Sequence, residues 1–258
     1  MPVLRVLLVS DLHHTLPQLD WVVRAAPRFD PVALAGDSLD ANSAVPLDVQ
    51  CVVVLRYLHR LQQAGRVAVC WGNHDLTGPD AHGEQAALWL AEAQLAADAH
   101  RDAARWVWVY HWPPLGSSIC WTGRRNYGNT HLGGWIDRHQ PDAVLTGHVH
   151  EPPFKPAGSW ADKRGRNWIF NAGRQIEPVS THIEIDLDGG SARWRSMMGE
   201  ESLRLADAAA PARSVFKYSG SCSRAEPSWA APARPAAATA GSAPPTPSTA
   251  RARCRTAA

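Results

Sequence analysis

The sequence is poor in the features that mark a disulfide-held, membrane-spanning or nucleotide-triphosphate-binding protein. Its five cysteines, Cys51, Cys70, Cys120, Cys222 and Cys254, are odd in number, far apart and free of any CxxC pair. That pattern argues against a disulfide framework and for reduced thiols, so a cytoplasmic location is expected. No apolar run approaches the roughly 20 residues that a bilayer-crossing helix needs, so no membrane partner is expected. The opening apolar stretch, residues 3–9, runs straight into Asp11-Leu12-His13 without a small-residue cleavage site, which makes it a first buried strand rather than a signal-peptide core. GxSxG, HExxH and the P-loop pattern are all missing, which removes three common catalytic schemes. No internal repeat is evident.

Charge is also scarce, at 19% of residues with a net +2, and it is unevenly spread. From Arg204 onward eight Lys or Arg face two Asp or Glu, a surplus larger than that of the whole chain, so the body before it is mildly acidic. An acidic body does not supply an extended nucleic-acid surface, although it leaves room for a focused anion site. Apolar residues, at 45%, suffice for a sizeable core.

Short β-rich runs alternate with helical stretches. Residues 3–9, 32–35, 66–71, 106–110 and 143–146 read as buried strands, and residues 16–26, 47–63 and 84–99 carry helical spacing. Later, 167–172 and 181–187 read as strands, with Asp188-Gly189-Gly190 as a hairpin turn before 192–196. Alternation of this kind implies a largely parallel sheet with right-handed crossovers. Beyond about residue 205 the composition turns to Ala, Pro, Ser, Thr and Arg. Residues 1–205 are therefore expected to form one domain, 206–218 an extension, and 219–258 a disordered tail.

Five of the apolar strands deliver polar residues at their C-terminal ends, the edge where ligands bind in open α/β sheets. Asp11-Leu12-His13 puts a carboxylate and an imidazole two residues apart, on one side of an extended chain. Gly36-Asp37-Ser38-Leu39-Asp40 adds a carboxylate. Gly72-Asn73-His74-Asp75 adds an amide, an imidazole and a carboxylate. His111 follows the fourth strand, and Gly147-His148-Val149-His150 brings two imidazoles at the two-residue spacing. Singly each motif is weak. Jointly, two carboxylates, one amide and four imidazoles suit two borderline divalent ions such as Mn, Fe, Co or Zn. The other histidines, His14, His59, His82, His100, His131, His139 and His182, read as structural or exposed. Trp106, Trp108, Trp112 and Trp121 read as core and rim packing rather than base-stacking groups.

The five blocks, in this order over residues 3–195, resemble the calcineurin-like metallophosphoesterase superfamily. The resemblance implies an α/β fold, a layered sandwich of mixed sheets flanked by helices. It implies Asp11, His13, Asp37 and His150 around one divalent metal ion and Asp37, Asn73, His111 and His148 around a second, with Asp37 shared. His74 would be the catalytic residue, contacting the phosphoryl group and assisting the leaving oxygen, with Asp75 placed to orient its ring. The activity implied is hydrolysis of a phosphomonoester or phosphodiester by in-line attack of a metal-bridging hydroxide, on a small phosphate-ester partner. Arg124 and Arg125, near Tyr127, are candidate substrate contacts, with solvated loop charge as the competing account. The interval from His74 to His111 is short for the family, which allows a shortened second sheet. It also keeps a non-catalytic scaffold on the same fold in view beside the hydrolase, with a nuclease as the third alternative.

Overall fold

The computed structural model describes residues 4–75, 95 and 105–206. The expected helix over 84–99, apart from Leu95, and the expected segments beyond Ala206 lie outside the described residues, as does most of the short interval before His111.

Two sheets face each other. The first has strand order β10-β9-β8-β1-β2-β3, from β1 (Arg5–Val9), β2 (Pro31–Ala35), β3 (Arg66–Cys70), β8 (His182–Asp186), β9 (Ser191–Ser196) and β10 (Gly199–Arg204). The second has order β4-β5-β7-β6, from β4 (Val107–Val109), β5 (Ala143–Thr146), β6 (Ala161–Arg164) and β7 (Asn167–Asn171). β1 pairs parallel with β2, β2 with β3, β4 with β5, and β5 with β7. β8, β9 and β10 run antiparallel to their neighbours, and so does β6.

Strand alternation explains the layering. In β1, Val6 and Leu8 point between the sheets, where they meet Leu145, Phe170, Ile183 and Trp194. Leu7 and Val9 point the other way, onto Leu19 and Val22 of α1 (Leu16–Ala25) and onto Val54 and Leu61 of α2 (Leu47–Ala64). A strand buried on both faces needs apolar residues at every position, which is why residues 6–9 form an unbroken apolar run. On the far side of the second sheet, Trp108, Val144 and Ile169 pack on Leu132, Trp135 and Ile136 of α3 (Leu132–His139). The order of layers is helix, sheet, sheet, helix.

The expectation of a largely parallel sheet needs correction. β8, β9 and β10 follow one another through tight turns, so they add to the outer side of β1 as an antiparallel meander, with Gly190 at φ +65 in the first turn. β6 (sequence ADKR), β10 (GEESLR) and α3 were not expected. The two strands have little apolar alternation to announce them, and Gly133-Gly134 lowers the intrinsic helicity of α3. Packing and the Asn129 side chain, whose Oδ1 accepts from the His131 and Leu132 amides at 2.8 and 2.9 Å, hold α3 instead. Among the described residues no helix is long and apolar enough to cross a membrane, and Cys51, Cys70 and Cys120 are free thiols.

Candidate metal centre

The C-terminal ends of β1, β2 and β3 in one sheet and of β4 and β5 in the other open onto the same rim. The pairing of β1 with β2 continues past the strands through irregular backbone. Asp11 N–H donates to the Gly36 carbonyl (3.0 Å), His13 N–H to Asp37 (2.9 Å) and His14 N–H to Ser38 (2.9 Å). The Asp11 loop and the Asp37 loop are thereby locked side by side. Across the rim, Gly147 N–H donates to the His111 carbonyl at 2.9 Å, and His148 N–H meets both oxygens of Asp11 at 3.1 Å.

Seven side chains converge here. Nε2 of His150 lies 3.3 Å from Asp11 Oδ1 and 3.3 Å from Nε2 of His13. Asp37 Oδ2 lies 3.8 Å from His13 Nε2 and 3.3 Å from His111 Nε2. Asn73 Oδ1 lies 2.9 Å from His148 Nδ1 and 3.2 Å from His111 Nε2. Three groups of donor atoms are each mutually close enough for one ion: Asp11, His13 and His150; His13, Asp37 and His74; Asp37, His111 and His148. Ligand bonds of about 2.1 Å make the edges of a tetrahedral or octahedral shell about 3.0–3.4 Å long. The spacings observed centre on that range. Nitrogen, carboxylate and amide-oxygen donors are also the right chemistry for a borderline divalent cation.

The backbone is strained at this rim. Among the described residues seven non-glycine positions have positive φ, and five of them are Asp11, His13, His14, Asp37 and His148. Each costs about 1–2 kcal/mol, so the concentration here marks a place where geometry outranks stability. Gly72 serves the same end by its size, since a Cβ on it would overlap the Asp37 carboxylate.

Electrostatics prepare the donors. Burial opposes the charge on Asp11, which is fully buried, but His150 and His111 override it and hold its carboxyl well below the usual range. Asp37 is likewise lowered: burial opposes its charge, and His111 with the His74 amide outweighs it. Burial pushes His13 down to about 4, against the pull of Asp11 and Asp37. His148 also falls to about 4, through burial and the charge of His111. Both rings are therefore neutral at pH 7, with lone pairs free. His111 differs, because Asp37 raises it despite burial. Its Nδ1 donates to the Ala35 carbonyl at 2.7 Å, which leaves Nε2 to face Asp37 and Asn73.

His74 sits beside the cluster, its ring 4.5 Å from that of His13 and its amide donating to Asp37 Oδ1 at 2.8 Å. Ala41 N–H donates to Nδ1 at 3.2 Å, so the neutral ring carries its proton on Nε2. The carboxylate nearest the ring is Asp40, 3.6 Å from Nδ1. Asp75, expected to orient that ring, instead accepts from Leu39 N–H (2.8 Å) and Gly72 N–H (2.9 Å), stapling one loop to the other.

Arg124 and Arg125 lie on an exposed turn. Arg125 stacks on Tyr127 at 4.2 Å, and among the described residues neither arginine bonds to the cluster. Trp108 is core, whereas Trp112 flanks the rim, its ring 5.0 Å from His111 and 5.6 Å from His148. Sequence reasoning missed Gln50, a fully buried amide in α2. It accepts from Asp40 N–H (2.8 Å) and donates to the carbonyls of Asp40 and Val45 (3.0 and 2.7 Å), fixing the loop after Asp37. It missed Gln18 of α1 and Arg174 as well. A polar residue inside an amphipathic helix is the signal for the two glutamines; Arg174 has none.

Fold and rim together define an α/β sandwich with a cation-suited cluster at the joint C-terminal edge of two sheets. The sequence model of the calcineurin-like phosphoesterase superfamily domain matches residues 4–184, and the chain belongs to that superfamily. Its members are usually metal-dependent phosphoesterases that use divalent ions. No curated protein matches the chain. Among solved structures it is similar to TT1561 of Thermus thermophilus, at 17% identity and a TM-score of 0.43, covering 79% of this chain and 99% of that one. It is also similar to purple acid phosphatase PPD1 from yellow lupin seeds, at 9% identity and a TM-score of 0.45, covering 80% of this chain and 52% of that one. A metallophosphoesterase from Sphaerobacter thermophilus matches at 17% identity and a TM-score of 0.37, covering 72% and 84%.

Proposed function

We propose that the chain is a metal-dependent hydrolase of small phosphate esters, with Asp11, His13, Asp37 and His150 holding one divalent ion and Asp37, Asn73, His111 and His148 a second. The observation that carries this reading is the convergence of these seven donors at ligand-shell spacings, with Asp37 common to two of the three ion-sized groups. When bound, a pair of such ions supplies Lewis acidity, lowering the pKa of water and neutralising phosphoryl charge. The remaining work falls to the chain. Two carboxylates set against an amide, rather than three carboxylates, leave the centre positive enough to attract an anion. His74, whose Nε2–H is left free to donate by the Ala41 bond at Nδ1, is the group that hydrogen-bonds the leaving oxygen. Asp40 borders the Nδ1 side of the ring, so the Nε2 side is the one left to face a bound phosphoryl group.

The test is metal-stripped protein refilled with Mn, Fe, Co or Zn in turn and assayed on aryl phosphate monoesters and diesters. Asp37→Ala and Asn73→Ala should each lower metal-stimulated hydrolysis by about 10³-fold or more, given several kcal/mol of charge stabilisation. Unchanged hydrolysis in both variants would sink the assignment.

A further inference from the structure

The link between β7 and β8 carries a residue that no motif singled out. β7 ends at Asn171, and the chain turns through Ala172 and Gly173 to Arg174. The turn is rigidly built. Asn171 is fully buried; its Nδ2 donates to the carbonyls of Ile119 (3.0 Å) and Val149 (2.9 Å), and its Oδ1 accepts from Gly173 N–H (2.9 Å). Gly173 has φ +68, and a Cβ on it would stand 2.8 Å from the His150 carbonyl, so glycine is required both by conformation and by space. Arg174 N–H then donates to that same carbonyl at 3.1 Å. On the other side, Gln18, 1% exposed, donates to the carbonyls of Gln175 (2.9 Å) and Glu177 (2.8 Å). Arg174 is therefore clamped between the segment that carries His150 and the helix that follows His13.

Its backbone places it at the rim, hydrogen-bonded to His150, and its side chain is half-buried. Yet Nε is buried without a hydrogen-bond partner, and no carboxylate among the described residues is within ion-pair reach of the side chain. A buried donor left open is costly, and a fold keeps one where something else completes the bond. That partner is not a cation, because a guanidinium has no lone pair to offer and is repelled by positive charge. An anion arriving over the cluster fits. The planar fork matches phosphoryl oxygens, and the Arg174 backbone is bonded to that of His150, one of the cluster's donors. A phosphomonoester dianion offers three terminal oxygens and a second negative charge; a diester offers two oxygens and one charge. An added cationic donor therefore gains more from the monoester.

We propose that Arg174 binds a terminal oxygen of the substrate phosphoryl group and biases the site toward phosphomonoesters. The inference rests on reading the cluster as a phosphoesterase centre, and its test separates the two. Full-length Arg174→Gln and Arg174→Lys are loaded with metal and compared with wild type by elemental analysis, by calorimetric titration with inorganic phosphate, and by kcat/KM on an aryl phosphate monoester and a bis-aryl diester. With metal content unchanged, Arg174→Gln should bind phosphate about 10–100-fold more weakly, the scale of one charge-assisted pair, with Arg174→Lys between the two. The monoester-to-diester ratio should fall by a similar factor. If Arg174→Gln binds phosphate like wild type at equal metal content, or both esters slow equally, the proposal fails. Loss of metal in Arg174→Gln also overturns it, since the residue would then be shaping the cluster. Should Arg174→Gln not fold, Arg174→Lys carries the same comparison. If metal-loaded wild type hydrolyses neither ester, the phosphoesterase reading fails, while the phosphate titration still decides Arg174.

Discussion

Replacing Asp75 with alanine tests whether two loops distant in sequence are held together as the structure shows. Its carboxylate accepts from the amides of Leu39 and Gly72, and both of those residues are buried. Alanine leaves two buried N–H groups unpaired, at about 1–3 kcal/mol each, or about 2–6 kcal/mol together. A relief acts against this. Burial raises the Asp75 pKa, so the folded protein gives up some stability to keep the group ionised, and alanine recovers that part. The net loss should be about 2–4 kcal/mol. Asparagine keeps one acceptor oxygen and removes the charge, so Asp75→Asn should lose about half as much. The functional consequence follows from position, because Leu39 lies two residues after Asp37 and Gly72 immediately precedes Asn73. Urea unfolding of the metal-free variants measures the first effect, and calorimetric Mn titration measures the second as a weakened affinity. A loss under about 0.5 kcal/mol in Asp75→Ala together with unaltered metal affinity would refute the staple.

Three further outcomes follow from the same rim. His13 and His148 fall in the fold from 6.5 to about 4, so neutral rings favour the native state. Their contribution is present above the unfolded value and is lost as pH falls from about 6.5 toward 4. By linkage the metal-free protein should lose about 2 kcal/mol per ring by pH 5, and His13→Gln with His148→Gln should flatten that slope in urea titrations. His111 has the opposite sign. It is raised by Asp37, so its stabilising contribution is complete below 6.5 and lost as pH rises through its folded value. Metal must displace that proton, so metal affinity should rise with pH across the neutral range. Gly72→Ala should lower metal stoichiometry, measured by elemental analysis, because the new Cβ overlaps the Asp37 carboxylate; full occupancy would contradict the packing described.

Strand-length apolar runs ending in Asp, Asn or His made the first five strands and the rim legible, most clearly in β1, β2 and β5, which are buried on both faces; β3, expected to be buried, has only exposed and half-buried residues. The family resemblance supplied the second sheet that periodicity alone did not. β6 and β10 escaped because edge strands need little apolar content. α3 escaped because its stability comes from Trp108, Val144 and Ile169 rather than from helix propensity.

The sequence by itself determined which donors exist and that each follows an apolar strand, since hydrophobic periodicity and residue chemistry are local properties. Only the tertiary structure decided that the loop of Asp40, not Asp75, touches the His74 ring, that Gln18 and Gln50 anchor the loops, and that Arg174 arrives beside His150. Those contacts join residues up to 159 positions apart. Their partners are chosen by where the sheets bring the chain back, which no local pattern encodes.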